Sequence, residues 1–221
     1  MAVSAVAVQP RTPSLGRLPS LSGAGFVVLV VAAFVGFSGN SPGAGASAAK
    51  VNAFYDAHQN AEFAASLIIA VASALLVIFG TRLAVALWPS DGTRRPFWQL
   101  FLGAASALAG AAWLVTAMLH FALTDAANQS TMSGGALQAL NVLDRDSWIA
   151  FNSGLGVMMI GAGGALLARK SNPVLGWVAL VAGVVLFIPL ADFPALIVSG
   201  LWLITTSVKM FRRGAAFAGA A

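Results

Sequence analysis

The chain has 221 residues, of which 59% are hydrophobic and 9% charged, against roughly 45–50% and 25% in soluble domains. So little charge cannot cover the surface of a soluble domain of this size, and the composition points to a helical membrane protein. The formal net charge of +5 is spread along the chain rather than gathered into a basic patch, which excludes a nucleic-acid partner; the lack of Cys excludes thiol catalysis, disulfides and thiolate metal sites.

Residues 1–20 carry Pro, Ser and two Arg with no sustained apolar run, and read as a mobile cytoplasmic tail. Apolar runs follow at about 21–39, 61–88, 97–123, 148–168, 174–190 and 193–209. Each is near the roughly 20 residues that cross a bilayer, the last two being short. "NSPGAGASAA", "PSDGTRRP", "RKSNP" and "ADFP" break the chain between runs. "KVNAFYDAHQNAEF" before the second run and "ALQALNVLDRDSW" before the fourth read as short outer amphipathic helices. The expected fold is all-α: one polytopic domain, residues 21–213, of six transmembrane helices with these outer helices, then a short cytoplasmic tail at 214–221. The small residues of "ASAA" before Lys50 also fit a cleavage site behind the first span. The long polar stretch ahead of that span favours keeping it.

The basic residues orient the spans. Arg11, Arg17, Arg82, Arg94, Arg95, Arg169, Lys170, Lys209, Arg212 and Arg213 fall on one side, and Lys50 and Arg145 on the other. Positive charge concentrates on the cytoplasmic side. Both termini are therefore expected in the cytoplasm, in a bacterial cytoplasmic (inner) membrane. Six of the seven acids, all but Asp91, then face outward.

Residues three, four and seven apart share a helix face. In the second span Val51, Phe54, Tyr55, His58, Glu62, Ser66, Ile69 and Ser73 form one stripe. The opposite stripe of Asn60, Phe63, Leu67, Val71, Ala74 and Ile78 is apolar below the interface and should face lipid, and Asp56 should be wet. The third span has a stripe of Gln99, Gly103, Ser106, Gly110, Trp113, Ala117, His120 and Thr124. Folding these two spans back on each other brings His58, Glu62 and His120 toward one outer mouth. The fourth span adds Asn152, on a face with Gly156 and Gly163. The candidate polar outer-mouth site is therefore His58, Glu62, Ser66, His120 and Asn152, with Tyr55, Asp144 and Asp146 as possible contributors.

Plainer readings stand beside this one. His58 and Glu62 also make an ordinary interfacial pair four residues apart, and His120 an interfacial hydrogen-bonding residue. His58, Glu62 and His120 are a weak zinc candidate, lacking the second His of "HExxH". Two outer His are a poor haem pair, so no cofactor is expected. "GAGG" at Gly161–Gly164 is helix packing rather than a phosphate loop. Trp88, Trp98 and Trp148 read as interface anchors, Trp113, Trp177 and Trp202 as packing, and "LDRDSW" as an exposed helix cap.

"VNAFYDAHQ", with its V-x-x-F-Y-x-x-H pattern, the outer L-x-x-L-D of "LNVLD" and the "LGW" of the fifth span resemble a broad set of uncharacterised bacterial multi-pass membrane proteins. The resemblance covers most of the chain after residue 20; "NPVLGW" stands where those proteins carry Pro-Arg-Trp or similar. It implies a membrane fold and location, and no activity. Three functions stay open. The first is a non-enzymatic protein that binds a membrane partner or itself, or senses envelope state. The second is a small permease for a cation, proton or amphiphile, using the polar outer mouth. The third, which no recognisable catalytic set supports, is a metal- or haem-dependent enzyme.

Overall fold

A computed structural model of the protein describes residues 14–37, 41–88, 96–129, 131–213 and 217. Residues 89–95 of the "PSDGTRRP" turn, with Asp91, Arg94 and Arg95, residues 1–13 of the expected amino-terminal tail, and all of the carboxy-terminal tail except Phe217 lie outside the described residues. What is described is helical, with no strand among the described residues. A 3-10 helix, Ser14–Leu21, occupies the end of the segment expected to be a mobile tail. It leads into α1 (Ser22–Val31), which widens into a π-helical turn, Ala32–Phe37. Then come α2 (Ala48–Ala86), α3 (Phe97–Ala127), α4 (Gly134–Arg169), α5 (Pro173–Val185) and α6 (Asp192–Arg213).

Five helical segments are long and apolar enough to cross a membrane: Leu18–Gly36, Ala48–Ala86, Phe97–Ala127, Gly134–Arg169 and Asp192–Arg213. The expected fifth span is shorter than its apolar run. α5 has 13 residues, about 20 Å at 1.5 Å per residue. Pro189 explains where it stops, because a proline ring collides with the carbonyl four residues back, here Val185. The rest of the run turns through 186–191, with Leu190 in the left-handed region at φ 75°.

The outer amphipathic segments are not separate helices, as expected from the sequence, but the first turns of α2 and α4. Neither α2 nor α4 contains a Pro that would divide its polar beginning from its apolar run. Ser47 and Ser133 start them, their hydroxyls accepting the backbone N–H of Lys50 at 3.4 Å and of Ala136 at 3.2 Å. Likewise "LDRDSW" lies inside α4 rather than capping it.

The helices close into a ring in sequence order, each packing on the next, with α6 returning between α5 and α1. α2 also touches α4 across the ring. Trp113 and Phe26 meet edge to face inside it with centroids 5.1 Å apart. Trp202 is buried and its indole N–H donates to the Leu175 carbonyl at 2.9 Å. Trp177, expected to pack inside, faces outward.

Glycines set the α4–α5 contact. Gly163 lies against the Gly176 carbonyl and Gly183 against the Gly156 carbonyl, each so close that an added Cβ would sit 2.8 Å from the oxygen. The paired positions are seven apart on both helices, an antiparallel register of small residues that lets the backbones touch. Gly103 has no neighbour within 4 Å of such a Cβ. One substitution should therefore have opposite effects at two sites. Gly163→Ala should lower unfolding stability in detergent by about 1–3 kcal/mol through overpacking. Gly103→Ala should leave it unchanged or raise it by up to about 1 kcal/mol through helix propensity.

Candidate functional site

Glu62 lies seven residues after Tyr55, so both look inward from α2. His120 lies near the end of the inward stripe of α3, and Asp144 looks inward from the first half of α4. These three helices bring Glu62, His120 and Asp144 into one chain of contacts. Nε2 of His120 is 2.7 Å from Oε2 of Glu62, and Nδ1 is 3.1 Å from both oxygens of Asp144. Glu62 has no exposed surface, while the side chains of His120 and Asp144 are 11% and 12% exposed.

The contacts fix the proton count. Each N···O pair needs a hydrogen, and a neutral imidazole carries only one. The chain therefore holds one proton beyond a neutral His between two carboxylates, for a net charge of −1. The arrangement can hold such a proton, and its contacts join three helices.

The surroundings are ordered around it. The Tyr55 ring meets the His120 ring at 5.9 Å, and the Tyr55 hydroxyl is buried without a hydrogen-bond partner. Thr124 donates to the His120 carbonyl at 2.9 Å. A cavity of about 290 Å³ opens beside His120 and Asp144, with Arg145 and Thr116 on its polar side and Phe34, Ile69 and Phe151 on its apolar side. Residues 41–46, ahead of α2, lie along α4 here. Arg145 donates to the carbonyls of Pro42 and Ser41 at 3.1 Å, Asn141 to Gly43 at 3.1 Å and Gln138 to Ala46 at 3.3 Å. These three side chains share one face of α4 and satisfy loop carbonyls that have no helix or sheet to pair with.

The structure redistributes the sequence candidates. Ser66 is on the expected face, but its hydroxyl donates to the Glu62 backbone carbonyl at 3.0 Å rather than to the carboxylate. His58 does not join the site. It is exposed at the edge of the α2 stripe, its Nδ1 donates to the Phe54 carbonyl at 2.8 Å, and its ring stacks on Phe54 at 4.5 Å. The His58, Glu62 and His120 metal set is therefore not assembled, and no group of three metal-ligating side chains is found among the described residues. Asp146 is exposed, about 160° around α4 from Asp144. Asn152 is rotated about 80° from Asp144 and bonds Asp192 instead, at 3.0 Å. Arg145 was missed as a site residue. The signal for α4's inward face was present in the spacing of Leu137, Asn141, Asp144, Ser147, Gly154 and Met158, which continues the same periodicity into the apolar run.

Removing the imidazole would take the His120 contact away from the buried Glu62 carboxylate. His120→Leu should lower stability by about 3–5 kcal/mol, and adding Glu62→Leu should restore part of the loss, both measured by denaturation in detergent. No protein-family model, no curated protein and no solved structure matches this chain.

Proposed function

We propose that this is a non-enzymatic, multi-pass protein of a bacterial cytoplasmic membrane that senses protons from the envelope side through Glu62, His120 and Asp144. Ten of the twelve basic residues fall on one side of the alternating spans, which supports cytoplasmic termini. In this orientation α5 and the turn after it make the sixth crossing, and the resemblance to uncharacterised bacterial membrane proteins fits the same placement. The proton chain lies at the outer end of the membrane layer: Glu62 is twenty residues above Arg82 on α2, about 30 Å along the axis. The response passes to a membrane partner or to a second copy of the chain.

One observation favours sensing over transport: the buried hydroxyls below Glu62 are taken up by their own helices. Below it, Ser66, Ser73 and Ser106 each donate to a carbonyl of their own helix. The buried side chains between them, Ile69, Leu76 and Phe79, are apolar. A proton can reach the site from the cavity, by way of Asp144 and His120. The permease reading keeps one support, the cavity beside His120.

The sign of the response follows from the proton count. Raising the pH strips the shared proton and takes the chain from −1 to −2. Two carboxylates then face a neutral imidazole, and the junction of α2, α3 and α4 loosens. The other ionisable groups around it are Tyr55 from α2 and Arg145 from α4; the π-turn and the loop after it present Phe34 and Ser41. In nanodiscs, the wild type should show one pH-dependent transition in tryptophan emission and in hydrogen exchange of the outer halves of α2–α4, and His120→Gln should abolish it. A transition that survives His120→Gln would sink the sensor. Proton flux into proteoliposomes that is lost in Glu62→Gln would replace it with the permease.

A further inference from the structure

The cavity beside His120 is a slot with a polar end and an apolar foot. On α4 its lining descends from Asp144 and Arg145 through Ser147 and Trp148 to Phe151, about 10 Å along the helix axis from Asp144. On α3 it descends from His120 to Thr116, and Ile69 of α2 and Phe34 of the π-turn flank the apolar part. Phe151 is held in place by stacking on Trp113, with centroids 4.5 Å apart. The hydroxyls along the walls are taken up by backbone. Ser147 donates to the Asp144 carbonyl at 2.7 Å, and Thr116 to the Ala112 carbonyl at 3.2 Å. The polar end therefore offers mainly its charged groups. Asp144 lines the cavity with a side chain 12% exposed, and its two oxygens can accept more than the His120 contact. Arg145 gives Nε and Nη2 to the Pro42 and Ser41 carbonyls, and no carboxylate among the described residues pairs with it. One opening thus presents a carboxylate and a guanidinium side by side, above a wall of rings.

We propose that this slot binds a free α-amino acid with an apolar side chain, such as leucine. Its ammonium group donates to Asp144, its carboxylate accepts from Arg145, and its side chain descends onto Ile69, Phe34 and Phe151. A simple cation would be opposed by Arg145 and a simple anion by Asp144; a molecule that carries both charges on neighbouring atoms answers both. Water would leave the rings uncovered. The volume of about 290 Å³ lies at the small end of ligand pockets, which run from about 300 to 1,000 Å³. A slot about 10 Å deep takes a branched side chain but not a lipid acyl chain. The inference rests on the sensing proposal for the use made of binding, since Asp144 serves both, but not for binding itself.

The test is isothermal titration calorimetry of the full chain in nanodiscs of phosphatidylglycerol, which offers no zwitterionic head group. The titrants are L-leucine, 4-methylpentanoate, which lacks the ammonium group, 3-methylbutylamine, which lacks the carboxylate, and glycine, which lacks the side chain. Leucine should bind saturably, and each of the other three at least tenfold more weakly. Arg145→Gln should weaken leucine at least tenfold and leave 3-methylbutylamine within twofold. The comparison among titrants needs no variant, so it stands even if Arg145→Gln disturbs the fold. No saturable binding of leucine, an analogue that binds as tightly as leucine, or unchanged leucine affinity in Arg145→Gln would overturn the proposal. The two readings fail separately. A pH transition without leucine binding removes the slot and keeps the sensor; leucine binding with a transition that survives His120→Gln keeps the slot and removes the sensor.

Discussion

Two carboxylates from different helices meet on one imidazole, and the arrangement of the outer half of the bundle follows from that meeting. Glu62 could not be buried as an isolated charge. It is tolerated because His120 lies against it, and His120 in turn is held by Asp144. The contacts fix the height and rotation of α2, α3 and α4 relative to one another, something their Ala and Gly surfaces do not do alone. Small residues let helices come close, whereas a directional polar contact selects one register among the close ones.

Above this junction the three helices continue together. Val51, Tyr55, Leu123, Ala126 and Leu137 give the extension an apolar core of its own, and the loop fastened by Gln138, Asn141 and Arg145 lies against it. α5 and α6 do not extend in the same way. Their connection is a tight turn with Phe187, Ile188, Leu190 and Phe193 exposed. This end of the bundle is thus uneven: a polar cluster of three helices stands beside a low, exposed apolar tip. The proton chain belongs to the first region and the Asn152–Asp192 pair to the second.

The inward faces of α2 and α3 were legible because their three- and four-residue spacing runs unbroken from polar beginnings into apolar middles. Periodicity locates a stripe to within tens of degrees, however, and His58 sits at a stripe edge where Phe54 offers a stacking surface outside the bundle. Asn152 was misassigned for a related reason. The glycines that share its face bring α5 to that side of α4, and only tertiary packing decides which neighbour a glycine face receives. Hydropathy could not separate the helical part of the fifth run from its apolar turn, although Pro189 marked the limit. The fastening of the loop left little trace, since it joins side chains to carbonyls that every residue possesses.

The glycine register between α4 and α5 also limits how the molecule can move. Gly156 faces Gly183 and Gly163 faces Gly176, with backbone against backbone at both places. A slip by one turn would drive a side chain into a carbonyl, as would a rotation of either helix about its axis. α4 and α5 are therefore geared together and can move only as one rigid plate. Since Asp144 rides on that plate, any displacement that begins at the proton chain must be taken up at the α3–α4 and α5–α6 seams. It would carry the apolar turn after α5 with it, turning a small shift at one imidazole into a tilt of an exposed apolar surface.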